Sequence, residues 1–171
     1  QRQMCIRDRG DTTLTEATYF EVIENKTAQL FAGATESAAI LADAEASTRQ
    51  RCRNYGMHLG LAFQLVDDYL DYAGKAEELG KNVGDDLAEG KLTLPIIEAL
   101  NRTRHTDTAD HSLLVSIIEN KELDQITEVI RIVRDSGAME YTLNHARQQV
   151  SLADDALAAL PDSAYKLSLI H

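Results

Sequence analysis

Apolar side chains recur every three to four positions along most of the chain, which is the spacing of amphipathic helices. One such stretch covers residues 15–31, where Thr15 is suited to cap the first turn. A longer stretch covers residues 48–72, and Gly56 and Gly60 within it offer points where another helix can approach closely. Both stretches predict helices packed in a bundle.

Helical patterns also fill the second half of the chain. They break at residues 105–110 and otherwise cover residues 93–102, 112–119, 123–136 and 138–160. Before them, residues 74–91 are polar and glycine-rich, which predicts a long ordered loop of the kind that often carries function. No stretch shows a clear strand pattern, so the chain is predicted to be all-α.

The composition agrees with helices and narrows the function. Two Pro and no Trp among 171 residues disfavour a barrel or a sandwich. The 28 acidic and 17 basic side chains give a net charge of −11, which argues against nucleic acid and anionic membrane surfaces as partners. No apolar run approaches the roughly 20 residues that span a bilayer. Cys5 and Cys52 show neither a metal spacing nor a disulfide framework, which favours a reducing, cytoplasmic location.

The two ends of the chain differ from the rest. Residues 1–10 carry three arginines without a helical period, and residues 167–171 add no pattern of their own. We expect both segments to be non-native, which leaves residues 11–166 as the folded domain. Because the first residue is not Met, we also expect the chain to be an internal piece of a longer protein.

The clearest candidate chemistry is the DDxxD sequence at residues 67–71, near the end of the long apolar helix. Asp67 and Asp71 are four residues apart, so both carboxylates lie on one helical face, with Gln64 one turn earlier. Like charges at this spacing repel, and Mg²⁺ is a natural counter-ion because it prefers carboxylate oxygens and shares its shell with phosphates. The alternative is a solvated acidic helix end. His58, on the same helix, has no ligand partner in the sequence and is predicted to be a satisfied core or interface residue.

Cationic residues accompany the aspartates. Lys81 and Lys91 lie on either side of residues 84–86 in the loop, where they suit a diphosphate bound beside Mg²⁺; the alternative is a loop with mixed charges for solubility. Lys26 and Thr27 adjoin on the first apolar helix and carry little weight alone. The loop lacks the glycine spacing of a P-loop, which disfavours an NTPase.

Three segments taken together, GLAFQLVDDYLDY, LGKNVGDDLAEGK and LTLP, closely resemble the C-terminal half of the trans-polyprenyl diphosphate synthases. The loop is most similar to that of the octaprenyl diphosphate synthases, which make quinone side chains. The resemblance covers about residues 11–162, and its block over residues 60–95 is highly specific as a combined pattern.

The resemblance implies an isoprenoid-synthase-type helical bundle around a central cavity, in which two Asp-rich motifs bind Mg²⁺ and an allylic diphosphate. It implies ionisation of that diphosphate, attack by the double bond of isopentenyl diphosphate, and loss of a proton. It also implies that the full-length protein is a homodimer. By the same resemblance the metal ligands are Asp67, Asp68 and Asp71, the diphosphate-binding residues are Lys26, Thr27, Gln64, Lys81 and Lys91, and the catalytic residues are Lys26, Thr27, Gln64 and Asp67.

The chain departs from the family in holding one Asp-rich motif instead of two. The family's first motif and the paired arginines after it would lie upstream, so we expect a bundle incomplete on its N-terminal side and an isolated chain that turns over poorly. Leu92 stands where many relatives have Pro, a minor change. Two alternatives stay open: a non-catalytic partner subunit or helical interaction module of the same fold, and a relative of the terpene cyclases. The loop and the Lys26-Thr27 pair favour the elongating synthases over the cyclases.

Overall fold

The computed structural model describes residues 11–73 and 85–170, and within these residues every regular element is a helix. The α-helices in chain order are α1 (Glu16–Ile23), α2 (Gln29–Leu41), α3 (Ala46–Ala73), α4 (Asp85–Ala88), α5 (Leu94–Thr106), α6 (Thr108–Asn120), α7 (Ile126–Asp135), α8 (Ala138–Leu157) and α9 (Ala164–Ile170). A π-helix joins α1 to α2 at Glu24–Ala28, and a 3₁₀ turn precedes α7 at Leu123–Gln125. The predicted all-α class is confirmed.

The helix predicted over residues 48–72 is confirmed as α3. It is 28 residues long and buries Tyr55, Ala62 and Leu65, whereas Phe63, Val66 and Leu70 of its apolar pattern are exposed. Neither α3 nor any other helix in the described part of the chain combines the length and the apolar character needed to cross a bilayer.

The helix predicted over residues 15–31 is present, but it is not uniform. Thr15 Oγ1 accepts a hydrogen bond from the backbone N–H of Thr18 at 3.2 Å, so Thr15 caps α1 as its residue type suggests. The π-helix Glu24–Ala28 then separates α1 from α2. A π-turn adds one residue to a helix without ending it, so the apolar spacing of the sequence does not reveal it.

The break predicted over residues 105–110 is reduced to a single residue, Asp107. Its Oδ1 atom accepts hydrogen bonds from the backbone N–H groups of Ala109 at 3.0 Å and Asp110 at 3.1 Å. This N-cap satisfies two donors of the first turn, so α6 begins at Thr108, ahead of the predicted start.

The loop predicted over residues 74–91 is described from residue 85 onward. This part begins with the short helix α4, in which Leu87 is buried, so the long ordered loop predicted here contains a helical turn that the sequence pattern does not show. Gly90 follows with a φ of 77°, a left-handed conformation that glycine adopts without strain. Residues 74–84, and the predicted diphosphate ligand Lys81 with them, lie outside the described residues.

The chain divides into two compact units. The first contains the residues up to Phe20 together with Leu65–Asn144, and the second contains Glu21–Gln64 together with the residues from His145 onward. In the first unit α5, α6 and α7 pack on one another. The buried aliphatic side chains of these three helices include Leu94, Ile96, Leu114, Ile117, Val129 and Ile132.

The core of the second unit brings α3 and α8 together, with Tyr55 packed against Ala153 and Leu157. Close approach also occurs at the predicted glycines of α3. A Cβ atom placed on Gly60 would lie 2.6 Å from the Cα atom of Ala28, which is the backbone of the π-helix. The prediction of a close-packing point is confirmed at this position.

The C-terminal helix α9 packs within the second unit. The hydroxyl of Tyr55 donates a hydrogen bond to the backbone carbonyl of Leu169 at 3.0 Å. The Nζ atom of Lys166 donates to the carbonyl of Leu160 at 2.8 Å. The assignment of residues 167–171 as non-native stays a prediction.

Candidate active site

The last turns of α3 carry the aspartate-rich motif of the first unit. Leu65 and Tyr72 are both 0% exposed and anchor this end of the helix in the core. Asp67 and Asp71 are half-buried and lie one helical turn apart. Asp68 is 2% exposed. The three carboxylates predicted as metal ligands therefore differ in environment, two at intermediate exposure and one buried.

Asp68 is held by a tyrosine of α1. The hydroxyl of Tyr19 donates a hydrogen bond to Asp68 Oδ2 at 2.6 Å, and both side chains are buried. Burial, with the negative charge of Asp68 second, raises the pKa of Tyr19 far above its ordinary value, so the phenol keeps its proton and acts as a donor. Tyr19 lies within the apolar pattern of residues 15–31, and nothing in that spacing links a position on α1 to one on α3, so the sequence does not predict this contact.

A second buried phenol lies among the same carboxylates. Burial raises the pKa of Tyr72 well above its ordinary value, and the charges of Asp71, Asp86 and Asp68 raise it further. Asp86, on α4, therefore belongs to the same acidic environment as the motif. The sequence analysis gave Asp86 no role beyond its place in the loop.

The C-terminal end of α3 is fixed by an arginine from α7. Arg134 donates to the backbone carbonyl of Tyr72 through Nε at 3.2 Å and through Nη2 at 2.8 Å. Carbonyls in the last turn of a helix have no partner within the helix, and the end of the helix dipole there favours a cation. Arg134 therefore stabilises the turn on which Asp71 lies.

Lys91, predicted to bind a diphosphate, is ion-paired within the first unit. Its Nζ atom lies 2.9 Å from Asp86 Oδ1 and 2.7 Å from Glu89 Oε2. These two hydrogen bonds raise the pKa of Lys91 above its ordinary value, so the ammonium group keeps its charge. The pairing connects the predicted lysine to Asp86 of the acidic environment.

In the second unit the structure brings together two of the predicted diphosphate-binding residues. Thr27 Oγ1 donates a hydrogen bond to Gln64 Oε1 at 3.1 Å. Thr27 lies in the π-helix Glu24–Ala28, next to the exposed Lys26, and Gln64 is almost fully buried on α3. π-Helical turns are found frequently at functional sites, so this irregularity adds weight to a pair that meant little in the sequence alone.

His58 is satisfied, as predicted. Its Nδ1 atom lies within hydrogen-bond distance, 2.8 Å, of Gln149 Oε1 in the second unit. The ring is half-buried on α3. This contact agrees with a structural residue and gives no support for a catalytic one.

The acidic end of α3 has the right donor chemistry for Mg²⁺. Within the described residues no three His, Cys, Asp or Glu side chains are grouped closely enough to hold an ion by themselves. Mg²⁺ is commonly bound by one or two carboxylates together with substrate phosphates, so a closed cage of protein ligands is not required. Asp67 and Asp71 supply carboxylates on one face, and the negative charges of Asp71, Asp86 and Asp68 contribute to the raised pKa of Tyr72.

Comparison with known proteins identifies the family of this chain. The family model described as polyprenyl synthetase matches residues 1–134. The chain belongs to the polyprenyl synthetase family. Over 162 residues it is 43% identical to the octaprenyl diphosphate synthase of Haemophilus influenzae, covering 94% of this chain and 48% of the relative. It is 41% identical over 169 residues to the all-trans-nonaprenyl-diphosphate synthase (geranyl-diphosphate specific) of Rhodobacter capsulatus, covering 99% of this chain and 50% of that protein.

Solved structures of polyprenyl synthetases share the fold. A decaprenyl diphosphate synthase from Rhodobacter capsulatus superposes with a TM-score of 0.87 at 36% identity, over 99% of this chain and 52% of the other. A polyprenyl synthase from Caulobacter crescentus, complexed with calcium and isoprenyl diphosphate, superposes with a TM-score of 0.85 at 37% identity, over 99% of this chain and 51% of the other. The chain thus spans about half the length of the relatives it matches.

Proposed function

We propose that the complete protein is a Mg²⁺-dependent trans-polyprenyl diphosphate synthase, which joins isopentenyl diphosphate to an allylic diphosphate and repeats the step to a long chain. Family membership supports the reaction class. The names of the octaprenyl and nonaprenyl relatives support a long product. The observation that carries the proposal is the aspartate-rich end of α3, where the half-buried Asp67 and Asp71 lie on one face.

The diphosphate-binding roles go to cationic and polar residues. Departure of diphosphate from an allylic substrate leaves negative charge on the leaving group, and fixed positive charges and donors stabilise that charge. Following the resemblance, we assign this work to Lys26, Thr27, Gln64, Lys81 and Lys91. The hydrogen bond between Thr27 and Gln64 supports the assignment because it fixes both side chains in advance.

Asp67 and Asp71 are the residues that would hold Mg²⁺, with Asp68 between them in the motif. A bound Mg²⁺ supplies positive charge that neutralises the leaving diphosphate. The protein's own contribution is to orient the carboxylates, which the anchoring of α3 through Leu65 and Tyr72 supports. The family's first Asp-rich motif, the partner of the motif at Asp67–Asp71, is proposed to lie outside this chain.

We also propose that the complete protein is a cytoplasmic homodimer. The assembly follows the family pattern. The location is supported by the two cysteines, Cys5 and Cys52, whose spacing suits no disulfide framework.

The test replaces Asp67 in a reconstructed full-length enzyme, in which the upstream half of the Haemophilus influenzae relative precedes residues 11–166. Asp67→Asn keeps the shape of the side chain and removes its charge. We expect kcat to fall by about 10²-fold or more, the scale on which loss of one strong electrostatic group acts. Steady-state kinetics with farnesyl diphosphate, radiolabelled isopentenyl diphosphate and a Mg²⁺ titration measure the effect.

The matched control is Asp155→Asn, which removes an exposed carboxylate of α8 and should leave kcat unchanged. Turnover of Asp67→Asn near the wild-type level, with the same Mg²⁺ dependence, would contradict the metal assignment. Absence of product from the reconstructed wild type would favour the non-catalytic partner subunit. The isolated chain is expected to give little product in the same assay.

A further inference from the structure

We propose that Tyr19 is a positioning residue for the metal-binding carboxylates, acting through its hydrogen bond to Asp68. The inference rests on the proposed function, since it assumes that the end of α3 binds a divalent cation. It adds a residue outside the motif and outside the set predicted from the sequence. Tyr19 itself touches neither cation nor substrate in this proposal.

The hydrogen bond between Tyr19 and Asp68 is buried and short, so it can hold the Asp68 side chain in one position. Tyr19 is 4% exposed and Asp68 is 2% exposed, so water does not compete for the bond. The distance of 2.6 Å is that of a hydroxyl donating to a charged carboxylate, which is among the stronger hydrogen bonds in proteins. The donor comes from α1 and the acceptor from α3, 49 positions later in the chain, so the bond joins the parts of these two helices that lie in the first unit.

The bond fixes the rotation of the turn that presents the other two carboxylates. Asp68 lies about 100° around the helix from Asp67, because an α-helix has 3.6 residues per turn. With one oxygen of Asp68 held inside by Tyr19, Asp67 and Asp71 are directed to a different side of α3. Arg134 holds the same turn from its end, through the carbonyl of Tyr72. Tyr19 therefore holds the last turns of α3 from the side, and Arg134 holds them at the C-terminal end of the helix.

A purely structural hydrogen bond and a positioning one have different consequences. Loss of a structural bond lowers the melting temperature but leaves cation affinity unchanged while the protein is folded. Loss of a positioning bond weakens cation affinity in the folded protein, because partners behind metal-binding carboxylates commonly change metal affinity by roughly 10- to 100-fold.

The experiment measures Mn²⁺ binding to the 171-residue chain in the presence of inorganic pyrophosphate, by electron paramagnetic resonance of free Mn²⁺. Tyr19→Phe removes only the hydroxyl and is expected to raise the Kd for Mn²⁺ about tenfold. The control Tyr141→Phe removes a hydroxyl that donates to Glu16 Oε2 at 2.8 Å in the same unit, and should change the Kd less than twofold. Circular dichroism at the assay temperature checks that each variant is folded.

Two further variants show whether the effect passes through Asp68. Asp68→Asn keeps an acceptor for the Tyr19 hydroxyl, whereas Asp68→Leu has similar bulk and no acceptor. We expect Asp68→Leu to bind Mn²⁺ at least threefold more weakly than Asp68→Asn, and this comparison decides the matter if Tyr19→Phe does not fold. A Kd for Tyr19→Phe within twofold of wild type, or equal affinities for the two Asp68 variants, would overturn the positioning role alone. Absence of Mn²⁺ binding in the wild type would overturn the metal site and the inference with it.

Discussion

Two carboxylates of the first unit accept hydrogen bonds from tyrosine hydroxyl groups. Tyr19 donates to Asp68 and Tyr141 donates to Glu16, in each case from a phenol to an acidic oxygen. Burial, followed by the hydrogen bond to Glu16, raises the pKa of Tyr141 to about 12 from its ordinary 10.0. Because a phenol loses its proton only as pH rises, this shift has a consequence for stability in alkali.

We expect the contribution of Tyr141 to the free energy of unfolding to fall between pH 10 and pH 12. Below pH 10 both the folded and the unfolded chain keep the proton, so the full contribution of Tyr141 is present. Above pH 10 the unfolded chain releases the proton while the folded chain holds it up to about pH 12, so the free energy of unfolding falls across this window. Tyr141→Phe should lose less stability than wild type over the same range, as measured by urea denaturation at fixed pH values. Parallel losses in the two proteins would contradict the shift.

At the scale of elements, the contact between α3 and the π-helix depends on the absence of a side chain at Gly60. A Cβ there would meet the Ala28 backbone at 2.6 Å, whereas a Cβ on Gly33 of α2 would meet nothing within 4 Å. The two glycines therefore share a helical setting and differ in the space around them. Substituting alanine at Gly60 therefore tests the close packing, whereas substituting alanine at Gly33 tests helix propensity alone.

Gly60→Ala is expected to destabilise the protein by about 2 kcal/mol or more, since one of two backbones must move. Gly33→Ala is the matched control and should stabilise by up to about 1 kcal/mol, because alanine is the better helix former. Urea denaturation followed by circular dichroism measures both. Equal effects of the two substitutions would show that α3 does not depend on this close approach.

The sequence predicted helices well where their signals are local and periodic. The span of α3 and the cap at Thr15 follow from residue types within a few positions of one another. The π-helix Glu24–Ala28 was not predicted, because one added residue leaves the apolar pattern nearly unchanged. Asp107 is of a residue type that often caps helices, but it lies between two weak helical patterns, so the sequence does not mark it as the N-cap of α6.

For the candidate site, the sequence supplied the residue types and the structure supplied the partners. The pairing of Thr27 with Gln64 and the burial of Asp68 join positions far apart in the chain, which a linear pattern does not show. The roles of these residues stay predictions from the resemblance. Lys81 lies outside the described residues, so its predicted role stays a prediction.

At the scale of the whole molecule, large apolar side chains of the second unit remain accessible. Leu30 is 75% exposed, Leu41 is 88% exposed and Phe63 is 58% exposed, while the rings of Phe31 and Phe63 lie 5.8 Å apart. Phe20 and Phe31, which lie in the apolar pattern of residues 15–31, are half-buried. Accessible apolar surface of this kind favours association.

We expect the isolated chain to self-associate at micromolar concentration. Leu30→Lys combined with Leu41→Lys should shift sedimentation velocity profiles toward the monomer. Ser37→Lys, an exposed position on α2 between them, adds one of the two positive charges without removing large apolar side chains and should leave the profile unchanged. A wild-type chain that sediments as a monomer would contradict the prediction.

The π-helix Glu24–Ala28 also affects how this chain should be aligned with others. One residue inserted into a regular α-helix would turn everything beyond it by about 100°, whereas the wider π-turn absorbs the extra residue, so the apolar spacing continues past it. A one-position gap within this segment, in a comparison with some other protein, therefore records a change of helix type and not a shortened loop. A regular α-turn in this segment would carry the threonine on a different face, turned from the position in which Thr27 donates to Gln64 here. A single deletion in an alignment can thus stand for the loss of a hydrogen bond between residues 37 positions apart.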